Sequence, residues 1–147
     1  NDIRQIQLAK AALYAGVKLL MDKLAIEKID RIRLAGAFGS HISVRHAMIL
    51  GLIPDCVLDQ VSSAGNAAGT GARIALLNQH SRGMIEKLVM EIEKIETAME
   101  PRFQEYFVDA MAFPNKTDTF ANLFSVVKRP LEKNVLPAKS GRKRRRK

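Results

Sequence analysis

Two stretches about thirty residues apart confine what this chain can fold into, because each runs from a strand through small residues into a helix. The first, residues 29–43, reads Ile-Asp-Arg-Ile-Arg-Leu-Ala-Gly-Ala-Phe-Gly-Ser-His-Ile-Ser. Ile32 and Leu34 alternate with Arg31 and Arg33, which predicts a strand over 30–35. Gly36 to Gly39 then predicts a loop, with Ser43 capping a helix that runs to about Leu50 and stops at Gly51 and Pro54. The second stretch is a weaker strand over 60–64, followed by Gly65-Asn66-Ala67-Ala68-Gly69-Thr70-Gly71-Ala72. Asn66 is its N-cap and the helix continues to about Asn78. Glycine lets the backbone approach a ligand, and a helix start offers free N–H groups at the positive end of its dipole. Two such units in succession predict an α/β layer with both turns on one edge of a sheet. No Gly-Lys-Ser/Thr follows either turn, so neither is a P-loop, and the glycine spacing is not the dinucleotide fingerprint. Without a ligand each is a tight strand-to-helix turn, with Gly69 and Gly71 there for helix packing.

The rest of the chain reads as mostly helical. Asp2 with Gln5 begins a long helix over 3–24, on which Ile6, Ala9, Leu13, Val17, Leu20 and Leu24 form an apolar stripe. Gly16 marks a close helix contact within it, and Arg4, Gln7, Lys10 and Lys18 lie off the stripe, on a solvated or ligand-facing side. Ser81 is read as the cap of another long helix, with Ile85, Leu88, Val89, Ile92, Ile95 and Met99 as its stripe and Pro101 as its end. Residues 103–113 are aromatic and mixed: Tyr106, Phe107 and Val108 fit a strand or a helix, and a strand after a short turn is the preferred reading. Pro114, Asn115 and Asp118 break the chain, and Leu123 and Phe124 pack back on the body. From Leu131 onward the chain is expected to be poorly ordered.

At 147 residues and 47% apolar content the chain suits one domain with a real core. The net charge of +9 comes mainly from the tail: seven positive charges lie between Lys139 and Lys147, leaving +2 for the rest. That tail has no interleaved aromatics, so nucleic-acid binding is not favoured over a solubilising or docking role. The lone Cys56 excludes an internal disulfide framework and a multi-cysteine metal cluster. His41 and His46, five apart, do not make a helical metal pair, and no catalytic triad can be assembled. No apolar run of about 18 residues and no signal segment is present, which reads as a cytoplasmic chain with no membrane contact. The start at Asn1 without a Met points to processing or to a piece of something longer.

The order of these blocks carries a resemblance. A helix, then Leu34-Ala-Gly-Ala-Phe-Gly at the end of a strand, then the second glycine turn, is similar to the adenosine side of the actin, sugar-kinase and heat-shock-chaperone ATPase superfamily. Within it, Asp2-Ile-Arg-Gln-Ile-Gln-Leu-Ala-Lys-Ala-Ala, Gly51-Leu-Ile-Pro-Asp, Gly65-Asn-Ala-Ala-Gly-Thr-Gly-Ala and Ala112-Phe-Pro-Asn-Lys-Thr-Asp resemble the C-terminal part of the reductive activators of corrinoid proteins. The resemblance implies an α/β fold. Residues 1–127 would be the second half of an actin-like (ribonuclease H-like) ATPase domain, a small mixed sheet packed with long helices, and 128–147 a basic tail. It implies that Gly36, Ala37, Phe38, Gly39 and Ser40 contact the nucleotide, with Arg4, Gln7 and Lys10 of the preceding helix on its base side. Gly65, Asn66 and Gly69 would form the second turn that closes this half. It further implies ATP with magnesium and an iron–sulfur cluster, the metal ligands of both lying outside this chain. The implied role is the ATP-dependent return of Co(II) corrinoid to Co(I) on a methyl-transfer partner protein, by an activator open to homodimerisation. This chain would supply one wall of the ATP cleft and be inactive alone. Two alternatives stand beside it: a fragment of a small-molecule kinase of the same superfamily, and a non-enzymatic binding module.

Overall fold

The computed structural model describes residues 2–129. The basic run from Lys139 and the poorly ordered segment expected from Leu131 lie outside them. In chain order the elements are α1 (Asp2–Lys23), β1 (Ile32–Ala35), α2 (Gly36–His41), α3 (Val44–Leu50), β2 (Val61–Gly65), α4 (Ala67–Leu77), α5 (Gln79–Glu91), α6 (Phe103–Asp109) and α7 (Ala121–Val126). The sheet among the described residues is β1 paired with β2, in parallel.

The first correction concerns α1. Its extent agrees with the periodicity, but its apolar stripe does not face inward. Ile6, Leu13, Leu20 and Leu24 are exposed, at 50%, 56%, 50% and 67%. The buried side is Lys10, Ala11, Tyr14, Ala15, Leu19 and Met21. Ala11 and Ala15 are wholly buried there, so small residues let α1 lie close against the body. Gly16 has open space around its missing Cβ and marks no such contact. What draws the other face inward is a polar ladder. Gln7, Lys10, Tyr14, Lys18 and Asp22, spaced by three and then four, hydrogen-bond to residues 102–118. Those positions share one helix face as surely as an apolar stripe does.

The second correction is α6. Phe103, Tyr106, Phe107 and Ala110 recur at helical spacing, which outweighs the strand preference of aromatic residues. Phe103 and Phe107 rings sit 5.9 Å apart, and Tyr106 packs with Ala15 and Leu19 of α1. The third is α5, which Asn78 caps rather than Ser81: Asn78 Oδ1 accepts from Ser81 N at 3.1 Å. The helix stops at Glu91, well short of Pro101. None of its residues is buried, and without tertiary packing a helix gains little from further turns. The main core gathers Ala11 and Tyr14 of α1, Ala47 and Met48 of α3, Ile53, Cys56, Val61, Ala110, Phe120 and Leu123. Leu123 of α7 is fully buried, as its predicted return to the body requires.

Candidate functional site

The parallel register aligns Ile32 with Val61, Arg33 with Ser62, Leu34 with Ser63 and Ala35 with Gly65. Both strands therefore end level, and both glycine turns leave the same edge of the sheet. That edge, outside the carboxyl ends of parallel strands, is where open α/β sheets take ligands. Gly36 has φ 90° and Gly65 φ 61°, left-handed values at which an L side chain is strained. The stretch expected as a loop, 36–39, is the first part of α2, a short helix begun at Gly36 and held by Ser40 Oγ donating to Gly36 O at 2.9 Å.

The glycines divide by what surrounds them. A Cβ on Gly36 would meet nothing within 4 Å, so this residue faces open space at the sheet edge. A Cβ on Gly39 would lie 2.8 Å from the main-chain carbon and oxygen of Leu34, so Gly39 is there to seat α2 on β1. Ala37 and Ser40 are exposed beside them. In the second turn Asn66 Oδ1 accepts from Gly69 N at 2.9 Å and caps α4. A Cβ on Gly69 would come within 2.6 Å of the Asn66 amide, so cap and glycine are a matched pair.

Gln7 and Lys10 are occupied within the chain. Gln7 Nε2 donates to Met111 O at 2.7 Å. Lys10 is fully buried and donates to the carbonyls of Ala112 and Pro114. Burial pushes its ammonium down to about 8. Tyr14 donates to Asp118 at 2.5 Å, and burial, aided by that carboxylate, pushes its hydroxyl well above the ordinary tyrosine range. Tyr106 is raised to about 12, by burial first and then by its bond to Asp22. Burial also raises the Cys56 thiol.

Three residues that sequence reading took only as a helix stop, a loop start and a chain break hold the site's surroundings. Gly51, the αL cap of α3 at φ 71°, lies so close to Pro114 that a Cβ would come 2.0 Å from its carbonyl oxygen. The Asp55 carboxylate accepts from Asn122 N at 2.8 Å and Leu123 N at 3.0 Å, capping α7 from 67 residues away. Asn115 Oδ1 accepts from the main-chain N–H groups of Thr117 and Asp118, at 2.9 and 3.1 Å, which turns Asp118 toward Tyr14. The Gly51-to-Asp55 and 112–118 blocks are thus braces between α1, α3 and α7. Beside β1 an apolar groove of about 470 Å³ opens, lined by Leu13, Val17, Leu34, Gly39, Ile42 and Leu52. Among the described residues no group of His, Cys, Asp and Glu could hold a metal ion, and no helix is long and apolar enough to cross a membrane.

This arrangement of strands, glycine turns and helices can be placed among known proteins. The model of the family described as the C-terminal domain of RACo, the ASKHA domain, matches residues 1–124. The chain belongs to this family. As a C-terminal ASKHA domain it is similar to the corrinoid activation enzyme RamQ of Eubacterium limosum, with 39% identity over 110 residues. Those residues are 74% of this chain and 18% of that enzyme. It is also similar to a solved structure of the reductive activator for corrinoid, iron-sulfur protein. There the TM-score is 0.68 at 30% identity, covering 77% of this chain and 18% of the other. The ASKHA segment described here therefore spans under a fifth of the length of the relatives it matches. The fold is the expected half of an actin-like α/β domain.

The residues present fit a nucleotide in part. Gly36 leaves open space at the sheet edge, and the capped start of α4, a helix of 11 residues, stands beside it. They do not fit an iron–sulfur cluster, which takes several thiolates: the chain has one cysteine, and it is buried.

Proposed function

We propose that this chain is the ASKHA segment of an ATP-dependent reductive activator, and that it forms the adenosine wall of the nucleotide cleft. The observation that carries this reading is the pair of level, parallel strands that end in left-handed glycines on one sheet edge. Gly36, Ala37, Phe38 and Ser40 are placed against the nucleotide, with Gly65 and Asn66 at the neighbouring turn. Gly39 and Gly69 act behind them, seating α2 and pairing with the Asn66 cap. Gln7 and Lys10 spend their donors on residues 111–114 and so support the wall from behind. ATP supplies the free energy for an electron transfer that is uphill by itself. Its magnesium ligands, and the cluster that gives up the electron, belong to the part of the protein outside this chain. The partner is a methyl-transfer corrinoid protein whose cobalt is returned from Co(II) to Co(I).

The test uses the full-length protein. Gly36→Val should cut ATP affinity by at least tenfold, about 1.4 kcal/mol, with cobalt reduction, followed by the corrinoid's visible absorption, falling in parallel. The new side chain meets no neighbour, but at φ 90° it is strained by about 1–3 kcal/mol, so circular dichroism first shows that the variant is folded. Normal nucleotide affinity in a folded Gly36→Val protein removes Gly36 from the site.

A further inference from the structure

Lys10 is the buried charged side chain of this chain's described residues, and its surroundings are unusual for a lysine. An ammonium carries three N–H donors and accepts nothing. Nζ donates to the carbonyl of Ala112 and, at 2.8 Å, to that of Pro114. The Phe113 ring centroid stands 4.6 Å away, within cation–π reach. Among the described residues no carboxylate forms an ion pair with Lys10, whereas Lys18, Lys23, Lys94 and Lys116 each have one. A charge taken out of water needs compensation. Here it comes from two main-chain dipoles and one aromatic face, all within three consecutive residues.

We propose that residues 112–114 form a binding cradle for a primary ammonium, which this chain fills with its own Lys10, and that the N–H bonds Lys10 donates there are what fasten segment 111–118 to α1. The cradle is backed on its far side by Gly51, whose missing side chain leaves the Pro114 carbonyl its place. Gln7 holds Met111 on one flank, and Tyr14 and Lys18 hold Asp118 on the other. Lys10 is thus a positioning residue at the centre of a four-point attachment. With its pKa pushed down to about 8, the group stays charged at neutral pH.

Hydrogen exchange on the full chain, without nucleotide, tests this independently of any ATP reading. Lys10→Met keeps the length and most of the apolar bulk while removing the N–H donors. Amides of 111–118 should then exchange at least about tenfold faster than in the native chain, while those of α4 and α5 are unchanged. Lys10→Ala empties the cradle. Ethylammonium should restore protection of 111–118 in a saturable way, and ethanol, its neutral counterpart, should not. Native-like protection in Lys10→Met overturns the proposal, as does equal restoration by ethanol. If Lys10→Ala fails to fold, the Lys10→Met comparison decides alone.

Discussion

Gly51 and Lys10 show how much of this fold rests on single atoms. At Gly51 a methyl group would overlap the Pro114 carbonyl in a backbone that already disfavours L residues. Gly51→Ala should therefore destabilise the chain by about 2–4 kcal/mol, measured by denaturant unfolding. Gly71, with open space around it, should accept alanine at little cost, since it lies within a helix. Lys10 and the two tyrosines set opposite pH trends. In the unfolded chain a lysine keeps its proton to about pH 10.4, whereas folded Lys10 releases it near 8. Between those values the unfolded state binds more protons, so stability rises with pH. Tyr106, with a folded pKa of about 12, reverses this: the unfolded tyrosine ionises near pH 10 first, so stability falls above that point. Tyr14 shifts the same way. Unfolding free energy measured across alkaline pH should climb from about 8 and turn over near 10. Lys10→Met should flatten the climb and leave the fall.

Among elements, two of the helix caps and the left-handed glycines were legible because their signals are local. Ser43 and Asn66 cap the helices they were expected to cap, each through a side-chain oxygen and a main-chain N–H three residues on. The inner face of α1 was not legible, since apolar periodicity names the Ile6–Leu13–Leu20 side and the structure buries the side of Lys10 and Tyr14. A polar ladder carries no hydrophobic signal, and its acceptors lie about a hundred residues away. The aromatic run at 103–113 failed for a related reason: composition favoured a strand, while the spacing of Phe103, Tyr106 and Ala110 against α1 decided for a helix. The nucleotide assignment of Gln7 and Lys10 came from position within a motif, which says nothing of what their donors reach. An exposed leucine on a helix of this kind offers a direct check. Leu20→Ser should change the stability of the 147-residue chain by less than about 0.5 kcal/mol. In the full-length protein it should cost about 1–3 kcal/mol, if the rest of the domain lies over that face. Thermal unfolding of the two pairs measures the difference.

For the molecule as a whole, one wall of a cleft should bind its ligand weakly. Calorimetry on the 147-residue chain should show ATP affinity at least about a hundredfold below that of the full-length protein, because the groups that hold phosphate and magnesium lie elsewhere. The bonds that seat α1 have a further consequence, for the order in which the protein is made. Its anchors to Met111, Ala112, Pro114 and Asp118 span 100–104 residues. At a synthesis rate of roughly 5–20 residues per second, α1 leaves the ribosome about 5–20 s before those partners exist. Throughout that interval it presents both an unpaired polar ladder and an uncovered leucine face. The nascent helix can therefore take its native seat only once the chain has been made as far as Asp118.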